Sequence, residues 1–223
     1  GTAVTVTTSV TAVNDTPTVS GVPTDVAVTE DTASNFDLSA VTFTEVDGDN
    51  LTVTIAASAG TFAASTSGSV TVGGSGTGSL TLSGTAANIN TWLDTASNIK
   101  YTGASNVNGD NVATYTIHAN DGTVNPQVGG GNIDITAVND APTVSGVPTD
   151  VTVTEDTASN FDLSAITFAD VDGDSLTVTI AVSAGTLAAS TSGSVTVGGS
   201  GTGSLTLSGA AANINTWLDT ASN

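Results

Sequence analysis

Thr136-Ala137-Val138-Asn139-Asp140-Ala141-Pro142-Thr143 decides how this chain is read, because it also occurs 125 residues earlier as Thr11-Ala12-Val13-Asn14-Asp15-Thr16-Pro17-Thr18. A self-match at a fixed period marks a tandem array. Aligning 11–98 with 136–223 gives 88 pairs, and only nine differ: 16/141, 27/152, 41/166, 44/169, 45/170, 50/175, 57/182, 62/187 and 85/210. The changes are mild, such as Val41 for Ile166 and Glu45 for Asp170. The joint of the array is Asn-Asp-x-Pro. Residues 1–13 are expected to be the last strand of a preceding repeat, 14–138 a complete repeat, and 139–223 a second repeat lacking counterparts of the final strands at 99–138. A sandwich without those strands would expose core and open edges. Either the fragment was cut from a longer array, or a neighbouring chain supplies the strands.

Composition narrows the function. The 223 residues carry 21 acidic groups against one basic group, Lys100, for a formal charge of −20. Such a surface lacks the basic footprint that nucleic acid and anionic membranes require, and it attracts divalent cations. High acidity also accompanies disorder, but 38% hydrophobic content and two-residue alternation argue for folded β-structure. Cys is absent, which excludes disulfides, thiol catalysis and thiolate zinc sites. One histidine, His118, and no Arg leave little for acid–base chemistry, and no nucleophile–base pair is discernible, so no enzyme is expected. The uncharged run 51–93 is broken throughout by Gly, Ser, Thr and Asn and does not read as a membrane span. Any export signal is expected outside this sequence.

Short Thr/Val-rich runs with alternating polarity follow the joint. Val26 and Val28 share a face, as do Leu51, Val53 and Ile55, while Val70/Val72 and Leu80/Leu82 flank a Gly-rich run at 73–78 read as a flexible hairpin. Phe36 and Leu38 have one parity, Val41 and Phe43 the other, which predicts a bulge at Ser39-Ala40. One segment departs from this pattern. Ile89, Trp92 and Leu93 stand at i, i+3 and i+4, predicting a short helix with Thr85 as N-cap; its equivalent Ala210 lacks the hydroxyl. Trp92 and Trp217 are expected in the core and His118 on the solvent side. About nine short strands and one small helix per repeat make an all-β fold, a tandem antiparallel β-sandwich.

The acidic residues concentrate at turns. If the chain enters a repeat at its top through Asn14-Asp15, counting strands up and down places Asp15, Glu45, Asp47, Asp49 and Asp121 at the top. Glu30 and Asp31 then fall at the bottom, beside the next joint. Two candidate metal sets follow: Asn14, Asp15, Glu45, Asp47, Asp49 and Asp121 at the N-terminal seam, and Glu30, Asp31, Asn139, Asp140, Asp170, Asp172 and Asp174 at the seam between repeats. Carboxylates gathered without a Lys or Arg repel one another, and a hard divalent cation removes that cost. Ca2+ suits best, because it takes 6–8 oxygens from carboxylates and carbonyls in flexible geometry. The alternative for each turn alone is a polar hairpin.

Val-Asn-Asp-Ala-Pro-Thr, then Val-Thr-Glu-Asp-Thr and Asp-Val-Asp-Gly-Asp-x-Leu-Thr-Val, resembles the cadherin-like (Ig-like) tandem repeats of very large bacterial adhesins, many exported by type I secretion. The resemblance covers essentially both repeats. It implies an extracellular, calcium-stiffened extender on the cell surface or in biofilm matrix. It also implies Asn139 and Asp140 as linker ligands, Glu30 and Glu155 as first-strand acids, and Asp172 and Asp174 as turn acids. Asp170-x-Asp172-x-Asp174 opens like an EF-hand loop but has Ser175 where Gly is needed. The 73–78 run has Gly78 where a calcium nonapeptide repeat needs Asp. Expected partners are neighbouring repeats, with homo-assembly by strand exchange into a filament as the alternative and surface glycans, in a carbohydrate-binding module, as a third reading; nucleic acid and direct membrane insertion are not expected.

Overall fold

In the computed structural model, which describes residues 1–220, the chain divides into two compact units, Gly1–Val138 and Asn139 onward. Residues 221–223, the end of the expected second repeat, lie outside the described residues. Residues 1–13 are exposed and join no sheet.

The first unit contains β1 (Thr18–Ser20), β2 (Asp25–Thr29), β3 (Ser34–Asn35), β4 (Thr42–Thr44), β5 (Asn50–Ala57), β6 (Thr61–Ala64), β7 (Thr71–Gly73) and β8 (Ser79–Thr85), then α1 (Ala86–Leu93), β9 (Ile99–Thr102), β10 (Gly109–Asn120) and β11 (Gln127–Thr136). A six-stranded sheet runs β2-β11-β10-β5-β8-β7, and a three-stranded sheet runs β3-β9-β6. The alternation seen in the sequence sorts the core. Val26, Val28, Leu51, Val53, Ile55, Leu80 and Leu82 are buried while their neighbours in sequence face outward or lie at intermediate depth. Between the sheets Phe36 packs edge-on against Phe62 and Tyr115, with ring centroids 5.0 and 5.1 Å apart. Such aromatic pairs add about 0.5–1.5 kcal/mol each beyond their area.

Three details differ from the sequence-based expectation. Ser39-Ala40 is a turn closed by the Val41 N–H donating to the Leu38 carbonyl, so the parity change marks a crossing from β3 to β4 in another sheet, not a bulge. The 73–78 run is held by hydrogen bonds within itself and to Phe62. Thr77 Oγ1 donates to Gly74 O at 2.8 Å, and Gly76 N donates to Phe62 O at 2.7 Å. Finally, the sandwich is not antiparallel throughout: β2 and β11 run the same way, as the strand count predicts, and pair in parallel, with Val26 opposite Ile133 and Val28 opposite Ile135. First and last strands therefore run the same way, so the unit is entered at one end and left at the other.

The helix forms as its pattern predicts. Ile89, Trp92 and Leu93 are its buried face, and Thr85 Oγ1 accepts the Asn88 N–H at 3.3 Å. Asn90, on the side that the hydrophobic pattern leaves polar, pairs with β4 as a strand would. Its Oδ1 accepts Phe43 N at 2.9 Å, and its Nδ2 donates to Phe43 O at 3.0 Å.

The second unit contains β12 (Thr143–Ser145), β13 (Thr167–Ala169), β14 (Ser175–Ala181), β15 (Thr196–Gly198), β16 (Ser204–Ala210) and α2 (Ala211–Leu218). Its three-stranded sheet runs β14-β16-β15, and β12 pairs with β13. Asn215 repeats the Asn90 pairing against Phe168, and Ala210 gives no side-chain cap. The segments equivalent to β2 and β3, at 150–154 and 159–160, are not strands, and the β6 equivalent is reduced to one bridge between Leu187 and Thr202. In the first unit those three strands pair with β11 or β9. Their loss follows the absence of those partners among the described residues.

Candidate functional site

At one end of the first unit, three turns meet. β10 ends at Asn120, and Asp121 folds its carboxylate back over the following turn. Its Oδ1 accepts Thr123 N at 2.7 Å and Val124 N at 2.8 Å, while its Oδ2 accepts Asn14 Nδ2 at 3.1 Å. Asp121 is buried, yet its pKa is held below the usual carboxylate value, chiefly by the Val124 N–H, with Thr123 and Asn14 assisting against burial. Beside it, Asp47 Oδ2 accepts the Asp15 N–H at 2.6 Å, and Glu45 Oε1 accepts the Asp47 N–H at 3.0 Å. Glu45 Oε2 is buried without a hydrogen-bond partner. The carboxylates of Asp15 and Asp49 are exposed on the same turns.

The second unit builds the same rim from its own residues. Asp172 Oδ2 accepts the Asp140 N–H at 2.6 Å, and Asn139 Nδ2 donates to Asp140 O at 3.0 Å. Here the one-methylene difference matters: the shorter Asp170 accepts the Asp174 N–H at 3.0 Å, where Glu45 takes that of Asp47. No residue of 139–223 aligns with Asp121.

The opposite end of the first unit carries Glu30, which is fully buried at the end of β2. Its Oε1 accepts the Val138 N–H at 2.7 Å, its Oε2 accepts Asn108 Nδ2 at 3.2 Å, and its own N–H donates to Thr136 O at 3.0 Å. Asp31 follows in a left-handed turn, φ 56°, and is exposed. In the second unit the equivalent Glu155 is exposed.

Hydrogen bonds thus bring Asn14, Asp15, Glu45, Asp47 and Asp121 together, and Asp49 stands on the same turn. Of the set expected at the seam between repeats, Glu30 and Asp31 belong to the first unit, and Asn139, Asp140, Asp170, Asp172 and Asp174 to the second. Sequence reasoning missed Asn108, whose only signal is an amide in a polar loop. The donors are all oxygens, the choice of a hard cation, and the orphaned Glu45 Oε2 suits one. Among the described residues, however, no group of three or more Asp, Glu, His or Cys side chains stands in position to hold a metal ion. The physical reason is visible in the rim: Asp47 and Asp172 are turned onto backbone N–H groups of the joint, and Glu45, Asp170 and Asp121 onto those of their own turns.

His118 is half-buried on β10. No helix among the described residues is long and apolar enough to cross a membrane.

Comparison with known proteins adds one positive finding. No curated protein matches the chain. Residues 139–220 match the model of the bacterial Ig domain family, whose members have Ig-like β-sandwich folds and are typically extracellular or surface-associated and non-enzymatic. The stretch that matches is the second repeat, and the all-β fold of the chain is of this Ig-like kind.

Proposed function

We propose that this chain is a structural extender from a large extracellular bacterial adhesin or matrix protein, its repeats stiffened by calcium at their joints. The observation that carries the proposal is that both copies of the joint are held by acidic turns in the same way. Asp15 N–H sits on Asp47 and Asp140 N–H on Asp172, each at 2.6 Å. Within the first unit Glu30 grips its last residue, Val138. A joint held by carboxylates alone crowds negative charge, and only one basic residue exists in the chain, Lys100, which is engaged with Asn35.

Calcium would supply the counter-charge and draw free oxygens of the rim into one coordination shell of about 6–8. Glu45, Asp47, Asp49, Asp15, Asn14 and Asp121 would hold it in the first repeat. Asn139, Asp140, Asp170, Asp172 and Asp174 would do so in the second, with Glu30 and Asp31 contributing at the joint by the order of the chain. The test is calcium titration by calorimetry with solution scattering in calcium and in EDTA. Saturable binding, with a looser scattering profile and a lower melting temperature on chelation, is expected. Identical profiles and melting curves in both buffers reject the calcium role.

A glycan-binding reading finds no support in the aromatic residues: none of the nine is exposed.

A further inference from the structure

One loop of the first unit sets a reactive stretch of backbone against the buried Glu30 clamp. Asn108 is the only Asn in the chain that is followed by Gly. Glycine has no Cβ to crowd its own amide nitrogen, so that nitrogen reaches the side-chain carbonyl carbon of a preceding Asn more readily than in any other pair. The fold leaves this backbone loosely tied. Residues 103–108 form no strand, Asn108 and Gly109 are exposed, and the β10–β11 ladder is interrupted between Gly109 and Ala113. Within that gap Asn111 takes a left-handed φ of 54° and gives its N–H to Asp134 Oδ1 at 2.8 Å, a side chain in place of a ladder carbonyl.

What Asn108 touches gives this chemistry a consequence. Its Nδ2 donates to both oxygens of Glu30, at 3.4 Å to Oε1 and 3.2 Å to Oε2, and Glu30 is fully buried. The same carboxylate holds the Val138 N–H at 2.7 Å. The grip on Val138 therefore leans on a neutral donor at position 108. Asn106 and Asn111 stand in the same loop and are equally exposed, but they precede Val107 and Val112, whose branched side chains crowd the attacking nitrogen.

We propose that Asn108 is a site of spontaneous deamidation, and that its conversion loosens the hold of Glu30 on Val138. The Gly109 nitrogen adds to Cγ of Asn108 and gives up its proton, the Cγ–Nδ2 bond breaks, and ammonia leaves a closed succinimide. Water then adds to one of the two ring carbonyls, and the bond from that carbonyl to the ring nitrogen breaks. The product is aspartate or isoaspartate. In sum, Asn and water give Asp or isoAsp and ammonia, with no change of oxidation state and water as the one co-reactant. Either product places an acceptor where a donor stood, and a second negative charge against a carboxylate already out of water. The chain's one Lys, engaged with Asn35, does not offset it. Like charges so placed repel, and the charge-assisted bond to Val138 weakens as Glu30 moves off. Isoaspartate also lengthens the main chain by a methylene, which displaces the loop.

The test ages the full chain at mildly alkaline pH in EDTA, so that its outcome does not depend on calcium at the joint. Chymotrypsin cuts after Tyr101 and Tyr115, and the fragment 102–115 carries all three asparagines of the loop. Expected is a mass gain of about 1 Da at residue 108, accumulating roughly tenfold faster than at 106 or 111. Isoaspartate methyltransferase should label the same fragment. Amide exchange at Val138 should quicken roughly tenfold both in the aged chain and in Asn108→Asp. Asn108→Gln, whose amide would have to close a larger ring, should gain no mass. The mass reading is made on the wild-type chain and stands whether or not the variants fold. No conversion at 108 in the folded chain overturns the proposal, and so does conversion at 106 or 111 as fast as at 108. Conversion that leaves exchange at Val138 unchanged overturns the link to Glu30.

Discussion

Glu30 and Val138 are 108 positions apart in sequence, and the Glu30 carboxylate accepts the Val138 backbone N–H at 2.7 Å. With Asn108 on its other oxygen, this carboxylate fastens the exit of the first unit to the end of β2. Glu30→Ala leaves the Val138 N–H and the Asn108 amide without their acceptor inside the protein. A hydrogen bond to a charged group is worth about 1.5–3 kcal/mol, and the stranded donors put the loss toward the upper end, about 3 kcal/mol. The same substitution at the exposed Glu155 costs no more than about 0.5 kcal/mol. Urea unfolding of the two variants side by side checks the contrast, and equal losses would remove the clamp from the account.

The two helices offer a paired experiment on capping, since their sequences Ala-Ala-Asn-Ile-Asn-Thr-Trp-Leu are identical. Only the residue before them differs, Thr85 with its bond to Asn88 N–H, Ala210 with none. Thr85→Ala is expected to cost about 1 kcal/mol and Ala210→Thr to return a similar amount. Amide exchange in the first turn of each helix reads both changes locally.

Acid should loosen the turns before the sheets. Asp121 is held below its ordinary value chiefly by the Val124 N–H, and Asp37 and Asp162 by the hydroxyl and backbone N–H of Ser39 and Ser164. A carboxylate whose folded pKa is depressed adds stability above the unfolded value, near 3.9, and loses it as pH falls through the folded one. Melting temperature is therefore expected to hold down to about pH 4 and to drop below it. Asp121→Asn should start lower and show a shallower drop. A variant whose curve stays parallel to wild type down to the lowest pH would contradict the role given to Asp121.

Much of this fold is legible because alternation and repetition are local signals. The strand faces at 26–28, 51–55 and 80–82, and the helix at 86–93, follow from side-chain period alone. The positions of Asp15, Asp47 and Asp121 at one end were also legible, because counting strand directions needs only the turns. Other features depend on tertiary neighbours. The 39–40 turn and a bulge give the same parity change, and only the sheet that receives β4 separates them. Asn90 reads as helix surface until Phe43 is placed beside it. Residues 150–154 have the sequence of a strand and are not one, because an edge needs its partner. Nor does sequence say which way a carboxylate turns. The rim acids point at backbone N–H groups of the joint or of their own turns, a choice set by distances of a few ångströms.

Tyr115 carries the most accessible alkaline signal. Burial, with the charge of Asp25 assisting, pushes its phenol up to about 12 from an ordinary value of 10.0. An unfolded Tyr ionises near 10, so the buried neutral phenol adds stability below that pH, and the contribution fades as pH rises toward 12. Tyr115→Phe keeps the ring against Phe36 but removes the bond to the Pro23 carbonyl, at an expected cost of about 1 kcal/mol near neutral pH. The gap between wild type and the Phe variant should therefore narrow as pH rises from 10 toward 12, because only the wild type loses the phenol's contribution there. Ultraviolet titration of the folded chain should show Tyr115 ionising near 12, and Asp25→Asn should bring that step down. Ionisation of both tyrosines at their ordinary pH in the folded chain would mean that the Tyr115 hydroxyl is not sealed against Pro23, and with it the packing of β10 onto the first turn of the repeat would have to be redrawn.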